Sequence, residues 1–292
     1  MTETSLALGN FDGLHKGHIE VIKSAVNQSK ALRITPYCVV FREHPQVFIR
    51  GYAPPKIMSD EARDRYLENL SCKCIKLDFG EIMNFSKEEF FNRILLGKLH
   101  CRAISCGGNY RFGKNAEGNV DYLKRACEEN GVLLTVLPLI KINGEEISST
   151  KIRKLIENGE IEKANELLGR NFSFSSVVTS GKKLGRKLGI PTVNQQLFAG
   201  AVKPKNGVYY SLTEVDGKKY KSVTNIGVRP TVENTDTVNC ETHILDFNTD
   251  LYGKSPEVEL IKYLREEIKF PDIDSLREQI KKDIQILKNE SE

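Results

Sequence analysis

The sequence predicts an α/β domain with a parallel, doubly wound sheet, followed by an antiparallel β-barrel with a terminal helix. A chain of 292 residues has room for about two domains of ~150 residues each. Short apolar runs alternate with helical patterns as far as Gly169, which is typical of parallel sheets. Beyond Arg170, polar and apolar residues alternate within short segments, which is typical of antiparallel strands. We therefore expect domains at 1–169 and 170–292.

Strands and helices alternate through the first domain. An unbroken apolar run such as 37–41 is expected of a strand that is buried on both faces of a sheet. Ser59 is placed to cap one helix, and Ser86 with Glu89 forms a capping box for another helix that Gly97 follows. The predicted strands lie at 5–8, 37–41, 74–77, 103–106 and 132–140, and the helices at 18–32, 59–70, 86–96 and 120–130.

The second domain is predicted to be a barrel that one helix closes. Asp216-Gly217 and Tyr252-Gly253 supply turns between alternating segments. Ser275 and Glu278 form a capping box where the terminal helix should begin. The segments that we expect to be strands lie at 172–175, 208–212, 221–224 and 241–245, and two short helices at 149–159 and 160–168 precede them.

Composition limits the classes of function. Lysine and arginine total 43 against 39 aspartate and glutamate, a net charge of +4 that is too small to indicate a nucleic-acid partner. No signal peptide opens the sequence and no apolar run reaches ~18 residues, so we expect no membrane partner and a cytoplasmic location. The seven cysteines form no CxxC, and we interpret them as small buried hydrophobic residues in a reducing compartment.

The segment GNFDGLHKGH, residues 9–18, predicts a phosphate site. It joins a strand to a helix, where unpaired backbone N–H groups and the positive end of the helix point at one place. His15 and His18 can donate hydrogen bonds to a phosphate while charge builds up on it. The alternatives are packed or capping histidines and a metal site, for which a third ligand at the usual spacing is missing. A Walker sequence, GxxxxGK[ST], is also absent.

Three sequences follow predicted strands of the first domain: GNFDGLHKGH, FREHP and GGNYRFG. The carboxyl ends of parallel strands share one edge of the sheet, where ligands bind. We therefore expect these sequences to converge.

In ISSTKIRKL, residues 147–155, Ser149 or Thr150 caps a helix that carries Lys151 and Arg153 in its first turn. Cations there oppose the helix dipole, so they face either an anion or solvent.

The most informative part of the second domain is GKKLGRKLGIPTVN, residues 181–194. Glycines and cations in one loop can wrap phosphates, although a solvated charged loop is the alternative. Thr192 and Asn194 alternate, so both point the same way on an extended segment and offer oxygen ligands to Mg²⁺. Glu241 on a separate segment can serve as a general base. For all three residues, ordinary strand-surface polarity is the alternative.

The two halves together resemble the bacterial family of bifunctional riboflavin kinases/FMN adenylyltransferases, or FAD synthetases. GNFDGLHKGH is similar to the nucleotidylyltransferase signature with HxGH, GGNYRFGKNAEGN to the flavin loop, and ISSTKIR to the second nucleotide signature. KLGRKLGIPTVN, GVYY, NIGVRPT and ETHILDFNTDLYG are similar to the riboflavin kinase domain, in that order. The resemblance implies a Rossmann-like nucleotidylyltransferase domain followed by a riboflavin kinase barrel.

The resemblance also implies two reactions, both dependent on Mg²⁺. The second domain would move the γ-phosphoryl group of ATP to O5′ of riboflavin, giving FMN. The first would join FMN to the AMP part of ATP, giving FAD and pyrophosphate. Neither step is expected to form a covalent enzyme intermediate. The implied partners are ATP, riboflavin and FMN, and the implied assembly is a monomer or a weak homo-oligomer.

Residue roles follow from the same resemblance. His15 and His18 would contact the ATP phosphates and stabilise the transition state, and Glu241 would be the base for O5′. Asn109 would contact FMN and the reacting phosphates, with Arg111 beside it in the flavin site. The other implied ATP ligands are Gly9, Asn10, Phe11, Asp12, Ser149, Thr150 and Arg153 for adenylylation, and Gly181, Lys183, Gly185, Lys187, Thr192 and Asn194 for the kinase, with Mg²⁺ on Thr192 and Asn194.

Two departures from the family pattern stand out. The kinase sequence has PTVN where relatives usually have PTAN, but Val193 should point away from Thr192 and Asn194. The flavin loop has GGN where many relatives carry an acidic second residue, which bears on flavin affinity. Two alternatives to the bifunctional enzyme stay open: a chain with one silent domain, and a flavin-binding sensor on the same scaffold.

Overall fold

The structure, a computed structural model, describes residues 2–142, 144–180, 190–229, 237–268, 270 and 272–289. The chain divides into two compact units, Met1–Ser149 and Thr150–Glu292. The expected domain limit at residue 169 is not tested by this division and stays a prediction.

A five-stranded parallel sheet forms the centre of the first unit. Its order is β3-β2-β1-β4-β5, so β1 is central and β2 and β4 flank it. This arrangement confirms the predicted doubly wound α/β class. The strands are β1 Thr4–Leu8, β2 Thr35–Phe41, β3 Lys73–Leu77, β4 Cys101–Gly107 and β5 Leu133–Leu137, and a small hairpin, β6 Lys141–Ile142 with β7 Glu145–Glu146, follows them.

Helices cover both faces of this sheet. On one face, Val21, Ile22 and Ala25 pack with Ala7 and other buried residues, and a second cluster around Leu6, Leu8 and Ile104 lies opposite. Burial on both sides explains the unbroken apolar run at 37–41 in β2. The helices are α1 Lys16–Leu32, α2 Pro45–Arg50, α3 Asp60–Asn69, α4 Phe79–Ile82, α5 Lys87–Glu89 and α6 Val120–Glu129, with a π-helix at Phe90–Lys98 and a 3-10 turn at Lys114–Ala116.

Capping chemistry was predictable at two of these helices. Ser59 accepts a hydrogen bond from the backbone N–H of Ala62, and Ser86 and Glu89 form the predicted capping box. The prediction that Gly97 follows the second helix is wrong. The α-helical turn continues as a π-helix that contains Gly97 and ends at Leu99, whose N–H donates to the Ile94 carbonyl 2.9 Å away. Bonds five residues apart widen the helix and carry it past the glycine.

The second unit contains a six-stranded antiparallel sheet in the order β8-β13-β10-β11-β12-β9. The chain directly after β8 contacts β9, the strand at the opposite edge of the sheet. Gln195 of β9 donates a hydrogen bond to the Ser176 carbonyl at 2.7 Å, and Thr179 forms a β-bridge with Asn194. The sheet is therefore curled like a half-barrel, which confirms the predicted class. Its elements are α7 Ser149–Glu157, α8 Ile161–Leu168, β8 Phe172–Ser175, β9 Val193–Gln196, β10 Gly207–Val215, β11 Lys218–Arg229, β12 Thr237–Ile244, β13 Glu257–Arg265 and α9 Ile273–Asn289.

The terminal helix begins before the predicted capping box. Asp272 accepts a hydrogen bond from the backbone N–H of Ser275 at 2.7 Å, so Asp272 supplies the cap and Ser275 already lies in the first turn. The predicted Ser275–Glu278 box is therefore wrong, and Glu278 pairs with Lys281 instead. Farther along the helix, Asp283 is 2% exposed and forms an ion pair with Arg265 at 2.7 Å. That buried pair fixes α9 to the end of β13.

Candidate functional site

Three loops leave the first sheet at its carboxyl edge. They follow β1, β2 and β4, and these strands are parallel neighbours around the centre of the sheet. GNFDGLHKGH, FREHP and GGNYRFG are the sequences of these loops. The expected convergence at one edge therefore holds, since each sequence begins at the end of one of three adjacent strands.

The loop between β1 and α1 has an unusual backbone. Phe11, Gly13 and Leu14 all have positive φ angles, of 50°, 76° and 40°. A positive φ costs energy for residues other than glycine and tends to cluster where function requires it. Phe11 and Leu14 are fully buried, and Asp12 accepts a hydrogen bond from the backbone N–H of Ile57 at 3.0 Å. Packing and this bond hold the loop in its strained form.

The two histidines of this loop lie against each other at the start of α1. His15 caps the helix, and its Nδ1 accepts a hydrogen bond from the backbone N–H of His18 at 3.3 Å. The two rings stack with centroids 3.6 Å apart and planes 18° apart. The Phe11 ring meets His18 edge-on at 5.2 Å. Both imidazoles are thus fixed at a positive helix end, where an anion is stabilised.

Ser149 joins this loop from far along the chain. Its hydroxyl donates to the backbone carbonyl of Asp12 at 2.9 Å, so the predicted second nucleotide sequence begins beside the first one. Thr150 and Arg153 follow on α7 in the second compact unit. Their contact with a triphosphate stays a prediction.

A small cavity borders the same loop. Its lining includes Asn10, Phe11 and Asp12, three of the predicted nucleotide ligands. It also includes four basic residues for which no role was predicted: Arg42, His44, Lys56 and Arg63. Lys56 and Arg63 share the Asp60 carboxylate at 2.7 and 3.0 Å. Arg42 and His44 belong to FREHP. The position of FREHP directly after a predicted strand was the sequence feature that could have placed these two residues at the site.

Asn109 and Arg111 lie on the exposed side of the loop that follows β4. Tyr110 lies between these two residues in the sequence, and Phe112 follows them. The rings of Tyr110 and Phe112 stack with centroids 5.7 Å apart, and Phe112 is buried in the core. Burial raises the pKa of the Tyr110 hydroxyl well above its usual range. The aromatic residues therefore anchor the loop, while the alternating polar residues face outward, where a ligand could reach them.

Gly13 offers a test of this strained loop. A Cβ atom on Gly13 would lie 2.8 Å from Cδ1 of Ile57, at a φ of +76°. We expect Gly13→Ala to destabilise the first unit by more than the roughly 1–2 kcal/mol of left-handed strain alone. Gly131→Ala is the matched control, because Gly131 has a φ of +64° with nothing within 4 Å. Equal losses of stability in denaturant titrations of the two variants would contradict this account.

The second unit places its predicted residues on adjacent strands. Asn194 on β9 lies directly opposite Glu241 on β12. Asn194 and Thr192 line a cavity of about 250 Å³, which Thr242, Phe247 and Tyr252 also border. The predicted phosphate loop, with Gly181, Lys183, Gly185 and Lys187, lies outside the described residues.

The oxygen atoms at this cavity fit a hard cation. Asn194 is 8% exposed, and its Oδ1 has no hydrogen-bond partner among the described residues, although buried acceptors are normally satisfied. The described part of the chain holds no cluster of three His, Cys, Asp or Glu side chains that could bind a metal ion. A cation on Asn194 and Thr192 would therefore take its other ligands from water or a bound phosphate, which is the habit of Mg²⁺.

The thiols are buried and none forms a disulfide in the described part of the chain. Burial raises the pKa of the Cys72 and Cys106 thiols to about 12 and that of Cys127 to about 11. Cys74 is the partly buried exception. A hydrogen bond from Cys38 lowers its pKa. The helices that the structure describes include none long and apolar enough to cross a membrane.

Family models match both halves of the chain. Residues 1–151 match the model described as FAD synthetase, and residues 168–290 match the one described as riboflavin kinase. The bifunctional riboflavin kinase/FMN adenylyltransferase of Buchnera aphidicola is 34% identical over 98% of this chain and 94% of its own length. Those of Bacillus subtilis and Escherichia coli K12 are each 32% identical, over 96% and 95% of this chain and 90% of their own lengths.

A solved structure has the same fold. It is described as a macrolide-efflux protein from Streptococcus pneumoniae, and it aligns with a TM-score of 0.90 and 28% identity. The alignment covers 99% of this chain and 94% of that one. That description applies to the Streptococcus pneumoniae protein. The family of the present chain is assigned from the two family models and the relatives named above.

Proposed function

The chain belongs to the family of bifunctional riboflavin kinases/FMN adenylyltransferases, and we propose how its residues divide the two reactions. The enzyme phosphorylates riboflavin to FMN with ATP and then adenylylates FMN to FAD, releasing pyrophosphate. It is thus a transferase with two activities. The domain carrying FAD synthetase similarity performs adenylylation, and the domain carrying riboflavin kinase similarity performs phosphorylation.

In adenylylation, the FMN phosphate attacks the α-phosphorus of ATP, and the bond to pyrophosphate breaks. Charge builds up on the phosphoryl oxygens in the transition state, so fixed donors contribute most of the catalysis. His15 and His18 donate these hydrogen bonds. The observation that supports this role is their stacking at 3.6 Å on the positive end of α1, which holds both rings before substrate binds. No side chain needs to form a covalent bond.

The same loop binds ATP, with backbone N–H groups directed at its phosphates. Asn109 and Arg111 bind the flavin nucleotide, and their exposed position in the loop after β4 supports this role. The proposed ATP ligands of this site are Gly9, Asn10, Phe11, Asp12, Ser149, Thr150 and Arg153. The hydrogen bond from Ser149 to Asp12 supports the pairing of the two nucleotide sequences.

In phosphorylation, O5′ of riboflavin attacks the γ-phosphorus of ATP, ADP leaves, and the hydroxyl loses its proton. Glu241 accepts this proton, as a carboxylate near the substrate hydroxyl can do. Mg²⁺, bound by Thr192 and Asn194 together with ATP, would neutralise charge on the phosphates. The unsatisfied Oδ1 of Asn194, opposite Glu241, supports this placement. Gly181, Lys183, Gly185 and Lys187 complete the proposed ATP site.

Asn194 gives a specific test of the magnesium site. Asn194→Leu keeps the size of the side chain and removes its oxygen, so we expect the Mg²⁺ concentration for half-maximal kinase rate to rise about tenfold or more. Val193→Ala, which restores the usual PTAN sequence beside it, is the control and should leave this concentration unchanged. An unaltered Mg²⁺ response in Asn194→Leu would rule out the assignment.

A time course tests the whole proposal. The protein is incubated with riboflavin, ATP and Mg²⁺, and the flavins are separated by chromatography. FMN should rise first and then give way to FAD. FMN alone, also with reduced flavin, would indicate a silent adenylyltransferase. Flavin retained without conversion would indicate a flavin-binding sensor.

We further propose that the enzyme works in the cytoplasm on small molecules, as a monomer or weak homo-oligomer, without nucleic acid or membrane partners.

A further inference from the structure

An amide side chain touches the proposed base of the kinase. Nδ2 of Asn239 donates a hydrogen bond to Oε1 of Glu241 at 3.2 Å. The two residues are two positions apart on β12, so their side chains share one face of the sheet. Asn239 is 9% exposed. The donor is therefore held in place by packing and is partly shielded from competing water.

Glu241 lies on a strand that is paired on both sides. Glu241 lies opposite Asn225 on β11 and opposite Asn194 on β9, so both neighbouring strands fix its backbone position. Asn239 lies opposite Gly227 on β11 and Gln196 on β9. Pairing with β11 and β9 thus fixes the backbone position of Glu241, and the rotation of its carboxylate depends on the hydrogen bonds that this group forms.

A second carboxylate lies beside this face. A Cβ atom on Gly227 would be 2.7 Å from Oε1 of Glu267, so this carboxylate occupies the space that a side chain at 227 would take. Asn225 donates to the same Glu267 oxygen at 3.1 Å. The other titratable group on this face of β12 is His243, which bonds the Pro191 carbonyl at 2.8 Å. Asn239 therefore has Glu241 as its hydrogen-bond partner, and Glu267 occupies the side-chain position of Gly227 opposite it. A neutral donor is favourable at this position, and a third carboxylate would be repelled.

We propose that Asn239 is a positioning residue of the kinase, which holds the Glu241 carboxylate in the orientation that receives the O5′ proton. The inference rests on the proposed role of Glu241 as the base. Asn239 occupies one carboxylate oxygen and so limits rotation of the group. A base that is aligned before the substrate arrives accelerates the step, and small misplacements are costly. Asn239 precedes ETHILDFNTDLYG, so the resemblance assigned it no role.

Steady-state kinetics of three variants test this role. Asn239→Leu removes the donor at nearly constant volume, and Asn239→Asp replaces it with a like charge. We expect kcat for FMN formation to fall about tenfold to a hundredfold, and further in Asn239→Asp, with KM for riboflavin and ATP unchanged. Gln196→Leu alters the exposed amide directly opposite Asn239 and serves as the control that should keep the wild-type kcat.

A double-mutant cycle separates this inference from the proposed function. If Asn239 acts through Glu241, adding Asn239→Leu to Glu241→Gln causes no further loss of residual kinase rate. A further loss equal to that in the wild-type background would overturn the positioning role while leaving Glu241 as the base. A wild-type rate in Glu241→Gln alone would overturn the base assignment itself. Raised KM values with unchanged kcat in Asn239→Leu would also overturn the inference.

Discussion

Replacing His18 with alanine is expected to suppress FAD formation while FMN continues to accumulate. The His18 ring stacks on His15 at 3.6 Å and meets the Phe11 ring in a T-shaped contact. It is thus held at the start of α1, where we propose that charge develops on the phosphoryl oxygens. Removal of one such donor typically costs a factor of about 10²–10³ in kcat. We expect a loss of at least this size in adenylylation, because His15 also loses its stacking partner. Chromatography of the products from riboflavin and from FMN measures both activities in one preparation.

The appropriate control is His100→Ala, which removes an exposed histidine from the same compact unit. It should keep both activities. Loss of both activities in a folded His18→Ala protein would refute the assigned division of labour. Near-normal FAD synthesis would show that the histidine pair is only a structural cap of α1.

The second large effect is expected at Glu241. Glu241→Gln keeps the shape of the side chain and its place opposite Asn194 and Asn225, but an amide cannot accept the O5′ proton. General-base catalysis contributes about 10²–10⁴ in rate, so FMN formation should fall by that factor. FAD synthesis from added FMN should proceed at the wild-type rate.

Glu214→Gln is a matched control for this substitution, because Glu214 is a half-buried carboxylate on β10 of the same sheet. It should leave the kinase rate unchanged. A kinase rate near that of the wild type in Glu241→Gln would contradict the base assignment. A fall in FAD synthesis from FMN would show that the substitution disturbs more than the kinase.

Features that depend on local pattern could be predicted from the sequence. The apolar run of β2 predicted a strand buried on both faces, and the alternation of strands with helices predicted the parallel sheet. Ser59 gave a helix start because a side-chain oxygen satisfies an orphan N–H group. The order of motifs gave the family, which the two family models confirm. The flavin itself came only from that resemblance, since no composition or spacing indicates an isoalloxazine ring.

Features that depend on tertiary packing could not be predicted. The stacked rings of His15 and His18 belong to a loop with three left-handed residues, and two of these are not glycine, so the sequence does not signal this backbone. Gly97 was predicted to follow a helix, yet the chain continues through it as a π-helix that buries Phe90, Phe91, Ile94 and Leu95. The bond from Asn239 to Glu241 depends on which strand face is packed, and a single asparagine carries no such signal. The roles of the individual site residues remain predictions.

The most direct test of the division between the two sites is complementation in solution. His18→Ala and Glu241→Gln are each incubated with riboflavin, ATP and Mg²⁺, separately and then mixed, and the flavins are separated over time. Alone, the first should stop at FMN and the second should leave riboflavin unchanged. Mixed, they should form FAD, because FMN made by one protein is the substrate of the other. Failure of the mixture to form FAD, while Glu241→Gln still converts added FMN, would contradict two separate sites that exchange FMN through solution.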